Sequence, residues 1–347
     1  MSKRKLTRRQ QWRIDKVQQE RLARAQRKSA PVTLPPDSLL DVEQPGRVVT
    51  HYGKQVVIED ADGKRVRCHF RATLEQLVVG DRVLFQPPLA RGDDQDSLGV
   101  VTAIEPRSTV LKRPDPYGNL KPVAANVEQM VIVFAPLPTP SSVLLDRYLV
   151  AAELSGIAPL LVLNKADLLD EAGQQRMDQL INLYRPLGYP VLTASAVDAR
   201  GLDALRTALI GKTSVFVGQS GVGKSSLINA LMPQAALATA DISSQSGLGQ
   251  HTTVTAQLLP FPDGGDLIDS PGVREFGLWH ISEEELLSGY TELAPLAGEC
   301  RFRNCSHRHE PGCALHAAAE AGRISQERLD NFFHIAGTLD EDARERY

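Results

Sequence analysis

Apolar positions along the chain fall into three regimes. Residues 1–30 are polar and rich in Gln and Arg, with Trp12, Ile14, Val17 and Leu22 as scattered apolar points. Such a stretch cannot bury a core; it reads as disordered when free and able to become helical on a nucleic acid. Pro31, Pro35, Pro36 and Pro45 mark a linker, so residues 1–44 form a tail and tether. From about 46 to 105 short β runs alternate with turns: 47–52, 55–59, an Asp62-Gly63 turn, then 65–70, 81–85 and 99–104. Five short strands of this kind predict a small β-barrel over 45–106, with an OB-fold as the natural candidate.

Beyond Glu105-Pro106 the apolar runs lengthen and alternate with helical patterns. Val127–Phe134, Pro159–Leu163 and Pro190–Thr193 read as buried strands. Between them lie a helix that Ser142 is placed to cap, ending at Gly156, and another over about 171–186. Strands alternating with helices imply an α/β domain, a parallel sheet covered on both faces, over residues 107–278. Residues 279–347 read as a helical module, Ala-rich and then carrying Leu329, Phe332, Phe333 and Ile335.

Composition adds bounds. The chain has 347 residues, 42% apolar and 23% charged, which is ordinary for a globular protein. It has no uncharged apolar run of about 18 residues, so no transmembrane helix is expected, and the basic N-terminus lacks the apolar stretch of a secretory signal. Three of its four cysteines crowd into residues 300–313, which suits a metal site in a reducing compartment better than a disulfide framework; a cytoplasmic location is expected. The net charge of −3 hides an asymmetry, because residues 1–28 hold eleven Lys/Arg against Asp15 and Glu20. A basic arm on an acidic body suggests a polyanionic partner such as RNA. In the barrel, Arg65, Arg67, His69 and Arg71 are candidate contacts for the same partner, although a passive spacer fits equally well.

The chemistry centres on Gly218-Gln219-Ser220-Gly221-Val222-Gly223-Lys224-Ser225-Ser226. An apolar β run precedes it and the helix pattern Leu227–Met232, stopped by Pro233, follows it. This is the phosphate-binding loop in its strand-to-helix context. Its glycines let backbone N–H groups and a helix N-terminus face phosphate oxygens. Lys224 supplies positive charge at the β- and γ-phosphates, and the Ser225 hydroxyl is a ligand for Mg²⁺.

Asn164-Lys165-Ala166-Asp167, at the end of a buried strand, resembles the guanine-recognition motif of GTPases. A carboxylate at Asp167 can accept both N1–H and N2–H₂ of guanine, with Asn164 on the other edge and the Lys165 stem along the ring. Ser195-Ala196 fits the companion loop, whose backbone N–H would meet guanine O6. Downstream, Asp269-Ser270-Pro271-Gly272 offers a carboxylate to hold Mg²⁺ through water and a Gly272 N–H to sense the γ-phosphate. The polar loop 246–253 between these motifs is of the kind that orders on a γ-phosphate. Thr253 is favoured over Thr252 to complete the Mg²⁺ shell.

The order of these motifs is the anomaly. The guanine loops precede the phosphate loop, whereas in an ordinary GTPase they follow it. A circular permutation, starting the chain elsewhere on an unchanged sheet, resolves this. Past the last motif, Cys300, Cys305, His307 and Cys313 form a C-x4-C-x-H-x5-C set, with His309 as a rival nitrogen ligand. Three thiolates and an imidazole make a closed tetrahedral site for one structural zinc.

Taken together, Ala125-Asn126-Val127, Asp146-Arg147-Tyr148, Asn164–Leu168, the phosphate loop, Gly249–Thr253, Asp269–Gly272 and the Cys/His cluster resemble the RsgA (YjeQ) family over about residues 45–335. The resemblance implies an OB-fold, a circularly permuted GTPase domain and a zinc domain. It also implies GTP hydrolysis stimulated by the small ribosomal subunit, contact with its 16S rRNA, and release after late maturation; a monomer binding GTP and GDP is expected. Val273, apolar, follows Gly272 where many GTPases carry a water-orienting Gln, and the resemblance points to His251 as its substitute. Gln250 stands where many relatives carry Arg, and Gly221 where some cation-dependent GTPases carry Asn. The competing reading is a non-catalytic, GTP-dependent rRNA-binding adaptor. A nucleotide kinase is disfavoured by Asp167.

Overall fold

The computed structural model describes residues 40–53, 55–71, 74–89, 98–115, 118–233, 256–269, 278 and 281–344. The N-terminal tail, and with it the expectation of an RNA-induced helix, lies outside them.

Five strands, β1 (Gln44–Tyr52), β2 (Gln55–Glu59), β3 (Arg65–Phe70), β4 (Arg82–Gln86) and β5 (Gly99–Ile104), close into the expected barrel. Their order is β1-β2-β3-β5-β4, and β4 pairs back onto β1, so the sheet has no free edge. β3 and β5 run parallel and the remaining pairs antiparallel, an OB-like path. Alternation decides what lies inside: Val56 and Ile58, Val66 and Cys68, Val83 and Phe85 all point into the barrel. Cys68 is therefore a core residue, and its burial pushes the thiol up to about 12. β1 serves two partners because a bulge between Val48 and Thr50 bends it from β4 towards β2.

A hairpin of β6 (Val110–Pro114) and β7 (Leu120–Ala125) follows, which the sequence pattern did not reveal. Its strands carry Lys112, Arg113, Pro114, Lys121 and Pro122, so their alternation is weak. What fixes it is tertiary: Leu111 and Ala124 are buried, and the Asn126 amide reaches the Gly80 carbonyl at 2.9 Å.

The α/β domain is built on β8 (Gln129–Phe134), β9 (Ala158–Leu163), β10 (Val191–Thr193), β11 (Thr213–Val217), β12 (Gln257–Pro260) and β13 (Asp266–Asp269). Their order is β10-β9-β8-β11-β13-β12, all parallel except β12. Every residue of β8 is buried, as expected of a strand covered on both faces. β11 lies at the centre although it is late in sequence, which is the permutation expressed as topology. Helices α1 (Ser142–Leu154), α2 (Glu171–Ile181), α3 (Leu202–Leu209) and α4 (Lys224–Leu231) cover the sheet. Ser141, rather than Ser142, caps α1 by accepting the Leu144 N–H. α2 stops at Ile181, earlier than its pattern suggested, because buried Tyr184 and then Pro186 turn the chain.

The C-terminal module contains α5 (Glu283–Ser288), α6 (Ala294–Ala297), α7 (Ala314–Glu320) and α8 (Gln326–Arg344). α8 lies against α1 across a buried ionic cluster. Asp146 accepts from Arg328, from the Asn331 amide at 2.9 Å and from the Tyr290 hydroxyl at 3.3 Å. Arg328 also holds Glu292 at 2.7 and 3.1 Å and lies over the Tyr290 ring at 4.5 Å. Burial alone would lower the Arg328 pKa, but its hydrogen bonds to Glu292 and the Asp146 charge more than offset it. Both side chains of the pair are essentially inaccessible, so neither can be rehydrated if its partner is lost. Asp146→Ala is therefore expected to cost about 3–5 kcal/mol, read as a lower urea midpoint. An unchanged midpoint would refute this assignment.

Candidate functional site

The C-terminal ends of β8, β9, β10, β11 and β13 share one edge of the sheet, where ligands of α/β proteins bind. Four of the sequence motifs converge there because each follows one of these strands.

The loop after β11 is shaped by glycines at positions that forbid a side chain. Gly218, Gly221 and Gly223 have φ of 138°, 83° and 93°. A Cβ on Gly218 would lie 2.1 Å from the Val133 carbonyl oxygen, and one on Gly223 would lie 2.3 Å from the Asn164 amide nitrogen. Gly223 leads directly into α4, so the helix N-terminus faces the loop. Lys224 folds over this concavity and donates to the Gly218 and Gln219 carbonyls at 2.6 and 2.9 Å. Ser225 and Ser226 are exposed in the first turn, beside it.

The loop after β9 is stitched to the one after β11. Asn164 is buried and donates to the Val222 carbonyl at 2.9 Å, while its Oδ1 has no partner. Lys165, at φ 59°, donates to the Gly221 carbonyl at 2.7 Å and to Leu137 at 2.8 Å. Asp167 is exposed, and its Oδ1 accepts the Ser195 hydroxyl at 2.6 Å. That hydroxyl is itself fixed by the N–H groups of Val197 and Asp198, at 3.1 and 3.3 Å. The Ser195 N–H is committed to the Arg200 carbonyl at 2.9 Å. Orienting Asp167 is a role of Ser195 that sequence reasoning missed, since only the fold brings the two loops to hydrogen-bonding distance.

Asp269 ends β13, beside the phosphate-loop strand. His251, Thr253 and Gly272, with Gln250 and Thr252, lie outside the described residues.

A second centre lies in the C-terminal module, where the ligand atoms of Cys300, Cys305, His307 and Cys313 all fall within 4.8 Å of one another. His307 Nδ1 is 3.4 Å from the Cys300 sulfur and 3.6 Å from that of Cys313; the two sulfurs are 4.0 Å apart. Zinc bonds of about 2.0–2.3 Å in a tetrahedron require edges of this size, so the set could hold zinc. Burial holds the His307 pKa below its ordinary value and favours the neutral imidazole a metal needs. The Ala314 N–H points at the Cys300 sulfur at 3.3 Å, and His316 Nε2 meets the His307 carbonyl at 2.8 Å. Ser306, by side chain and backbone, holds the Glu310 carboxyl down to about 2 and closes the knuckle. His309, the rival, is not part of the cluster.

A parallel sheet with its phosphate loop on the central strand, and the guanine-type motif encoded before that loop, defines a circularly permuted P-loop GTPase. The model of the RsgA GTPase family matches residues 104–279. The Small ribosomal subunit biogenesis GTPase RsgA of Alcanivorax borkumensis is 64% identical over 100% of this chain and 99% of its own. Among solved structures, YjeQ from Thermotoga maritima superposes with a TM-score of 0.70 at 33% identity, covering 86% of this chain and 99% of that one. YloQ, a circularly permuted GTPase, gives 0.68 at 29% identity, covering 87% and 96%. The chain belongs to the RsgA GTPase family.

If the Cys/His cluster holds metal, chromogenic-chelator assay of the denatured protein should find about one zinc per chain. Cys313→Ser, which removes one of four ligands, should reduce this below half. A metal-free wild-type protein that is nonetheless fully folded would contradict the assignment.

Proposed function

We propose that the chain hydrolyses GTP in the cytoplasm while bound to the small ribosomal subunit, late in maturation of that subunit, and that hydrolysis is coupled to its release. The ribosomal part of this reading rests on the names of the relatives and on the basic tail. The chemical part rests on one observation: the guanine-type loop and the phosphate loop are hydrogen-bonded into a single rigid cradle through Asn164 and Lys165.

In that cradle Asp167, oriented by Ser195, accepts the N1–H and N2–H₂ of guanine. The Lys165 stem flanks the ring, and the Ala196 N–H meets O6. The N–H groups of Gly218 to Ser226 receive the phosphates, and Lys224 exchanges its loop carbonyls for phosphate oxygens. Ser225, Thr253 and Asp269 are the residues that would hold Mg²⁺, which neutralises charge on the β- and γ-phosphates. Gly272 senses the γ-phosphate, and His251 positions the attacking water in place of the apolar Val273. Cys300, Cys305, His307 and Cys313 would hold zinc, which supplies structure only, because four protein ligands leave no open position.

Two measurements test this. GTP turnover at fixed salt should rise at least tenfold with purified small subunits, and His251→Ala should abolish the rise while leaving GTP affinity in place. Tight GTP binding without stimulation would instead favour the adaptor. Asp167→Asn replaces two acceptors by an acceptor and a donor, which matches xanthine better than guanine. It should weaken GTP at least a hundredfold and gain xanthosine triphosphate binding; unchanged guanine preference would remove Asp167 from the base site.

A further inference from the structure

The β12–β13 hairpin occupies a particular place in the chain. In sequence it is bounded by the polar loop 246–253 on one side and by Asp269–Gly272 on the other, so it connects the two segments assigned above to the γ-phosphate and its magnesium. In the fold it is also the element onto which the barrel is built. Thr50 of β1 pairs with Gln257 of β12, and Gln257 pairs with Asp269 of β13, so one lateral row of the sheet runs from the barrel to the magnesium carboxylate. Ile268 lies in one apolar cluster with Val49 and Val79 of the barrel region, and an atom added to Gly80 would lie 3.2 Å from its Cδ1.

The other end of β13 is held by charge. Arg47, on β1, grips Asp266 with both terminal guanidinium nitrogens, Nη1 at 2.5 Å and Nη2 at 3.2 Å. The same Nη2 lies 3.4 Å from Glu59, and Arg65 donates to the other oxygen of Glu59 at 3.0 Å. A ladder Arg65–Glu59–Arg47–Asp266 therefore runs from the exposed barrel surface into the half-buried hairpin, with Arg65 51% and Asp266 14% exposed. Asp266 is three residues before Asp269, about 10 Å along a strand. A strand of four residues fixed at its start has little freedom at its end.

We propose that Arg47 is a positioning residue for the magnesium site: by clamping Asp266 it sets β13 and hence Asp269, and it makes the barrel's surface and the nucleotide state sense each other. The ladder supplies the chemistry of that exchange. An RNA phosphate taken by exposed Arg65 draws it from Glu59, which is then free to take both nitrogens of Arg47 away from Asp266. Binding at the barrel thus alters the hold on β13, and by reciprocity the nucleotide alters the barrel's affinity for RNA. This last step rests on the ribosomal reading above; the clamp itself does not.

The test uses the full chain and fluorescent GTPγS and GDP, with Arg47→Ala, Asp266→Asn and the double variant. The Mg²⁺ concentration giving half-maximal GTPγS binding should rise about fivefold or more in each single variant. GDP affinity in EDTA should stay at the wild-type value, because the guanine and phosphate loops are untouched. The double variant should be no worse than either single one, the signature of a shared interaction, and Arg47→Lys should recover part of the effect. An unchanged Mg²⁺ requirement, additive effects, or a parallel fall in GDP affinity would overturn the proposal. In a second arm, Arg65→Ala should reduce the difference in small-subunit affinity between the GTPγS and GDP forms; an undiminished difference would overturn the ladder. Absence of any binding of wild-type protein to small subunits would count against the ribosomal reading alone, since the Mg²⁺ arm needs no ribosome.

Discussion

Side-chain hydrogen bonds join the guanine-type loop to the phosphate loop. Asn164 and Lys165 reach from the loop after β9 to the carbonyls of Val222 and Gly221 in the loop after β11. Those loops lie 58 and 56 residues apart in sequence, and strand β8 separates their strands in the sheet. Because Asn164 is buried, losing the bond would strand a polar amide in the interior at about 1–3 kcal/mol. Gly223 is explained by the same contact, since a side chain there would occupy the place of the Asn164 amide. The guanine-type loop and the phosphate loop are thereby joined into one surface, whichever order the chain uses to build it.

That independence from order is what the permutation exploits. A sheet is defined by lateral hydrogen bonds, and moving the chain ends leaves those bonds alone while changing which loops are covalently continuous. Here the change sends the chain from β13 towards the C-terminal module. The module is then fastened back to the GTPase domain at α1 by Asp146 and Arg328, 182 residues apart. A buried ion pair of this kind adds little net stability over an apolar pair, but it tolerates only one docking geometry, because any other leaves a charge unsolvated. The cysteine cluster plays the matching part inside the module, whose buried side chains such as Leu315, Leu329 and Phe332 share one apolar cluster with the GTPase domain.

What was legible in the sequence follows from range. The phosphate loop, the guanine-type motif and the Cys/His set are local, each written within a few residues, and the folded chain gathers their described members at one edge of the sheet and in one Cys/His cluster. The barrel strands were equally readable, because burial on one face imposes strict alternation on β2, β3 and β4. Hairpin β6–β7 was not, because its strands gain their place from Gly80 and the neighbouring core rather than from an alternating face of their own. Asp146 stood out only as part of a family resemblance and Arg328 not at all, because a helical wheel gives no sign that a partner from the far end of the chain will bury either. Ser195 was assigned to the companion loop but without its bond to Asp167, which depends on β9 and β10 being neighbours.

The same reasoning explains why the barrel belongs to the GTPase rather than hanging from it. A barrel closed on itself offers no edge for pairing, yet β1 is long enough, and bent enough at its bulge, to serve β4 and β2 and still meet β12 at Thr50. Among the described residues that bridge continues the GTPase sheet into the barrel, making one eleven-stranded sheet. The barrel therefore adjoins the antiparallel strand β12, at the edge of the described GTPase strands. Sheets resist shear along their hydrogen bonds and packed interiors do not deform continuously, so a displacement imposed on β1 is shared by β12 and β13. Charge then sharpens what the sheet transmits. Arg47 stands between one carboxylate of the barrel and one of the hairpin, and a cation shared by two anions responds to any third that competes for either.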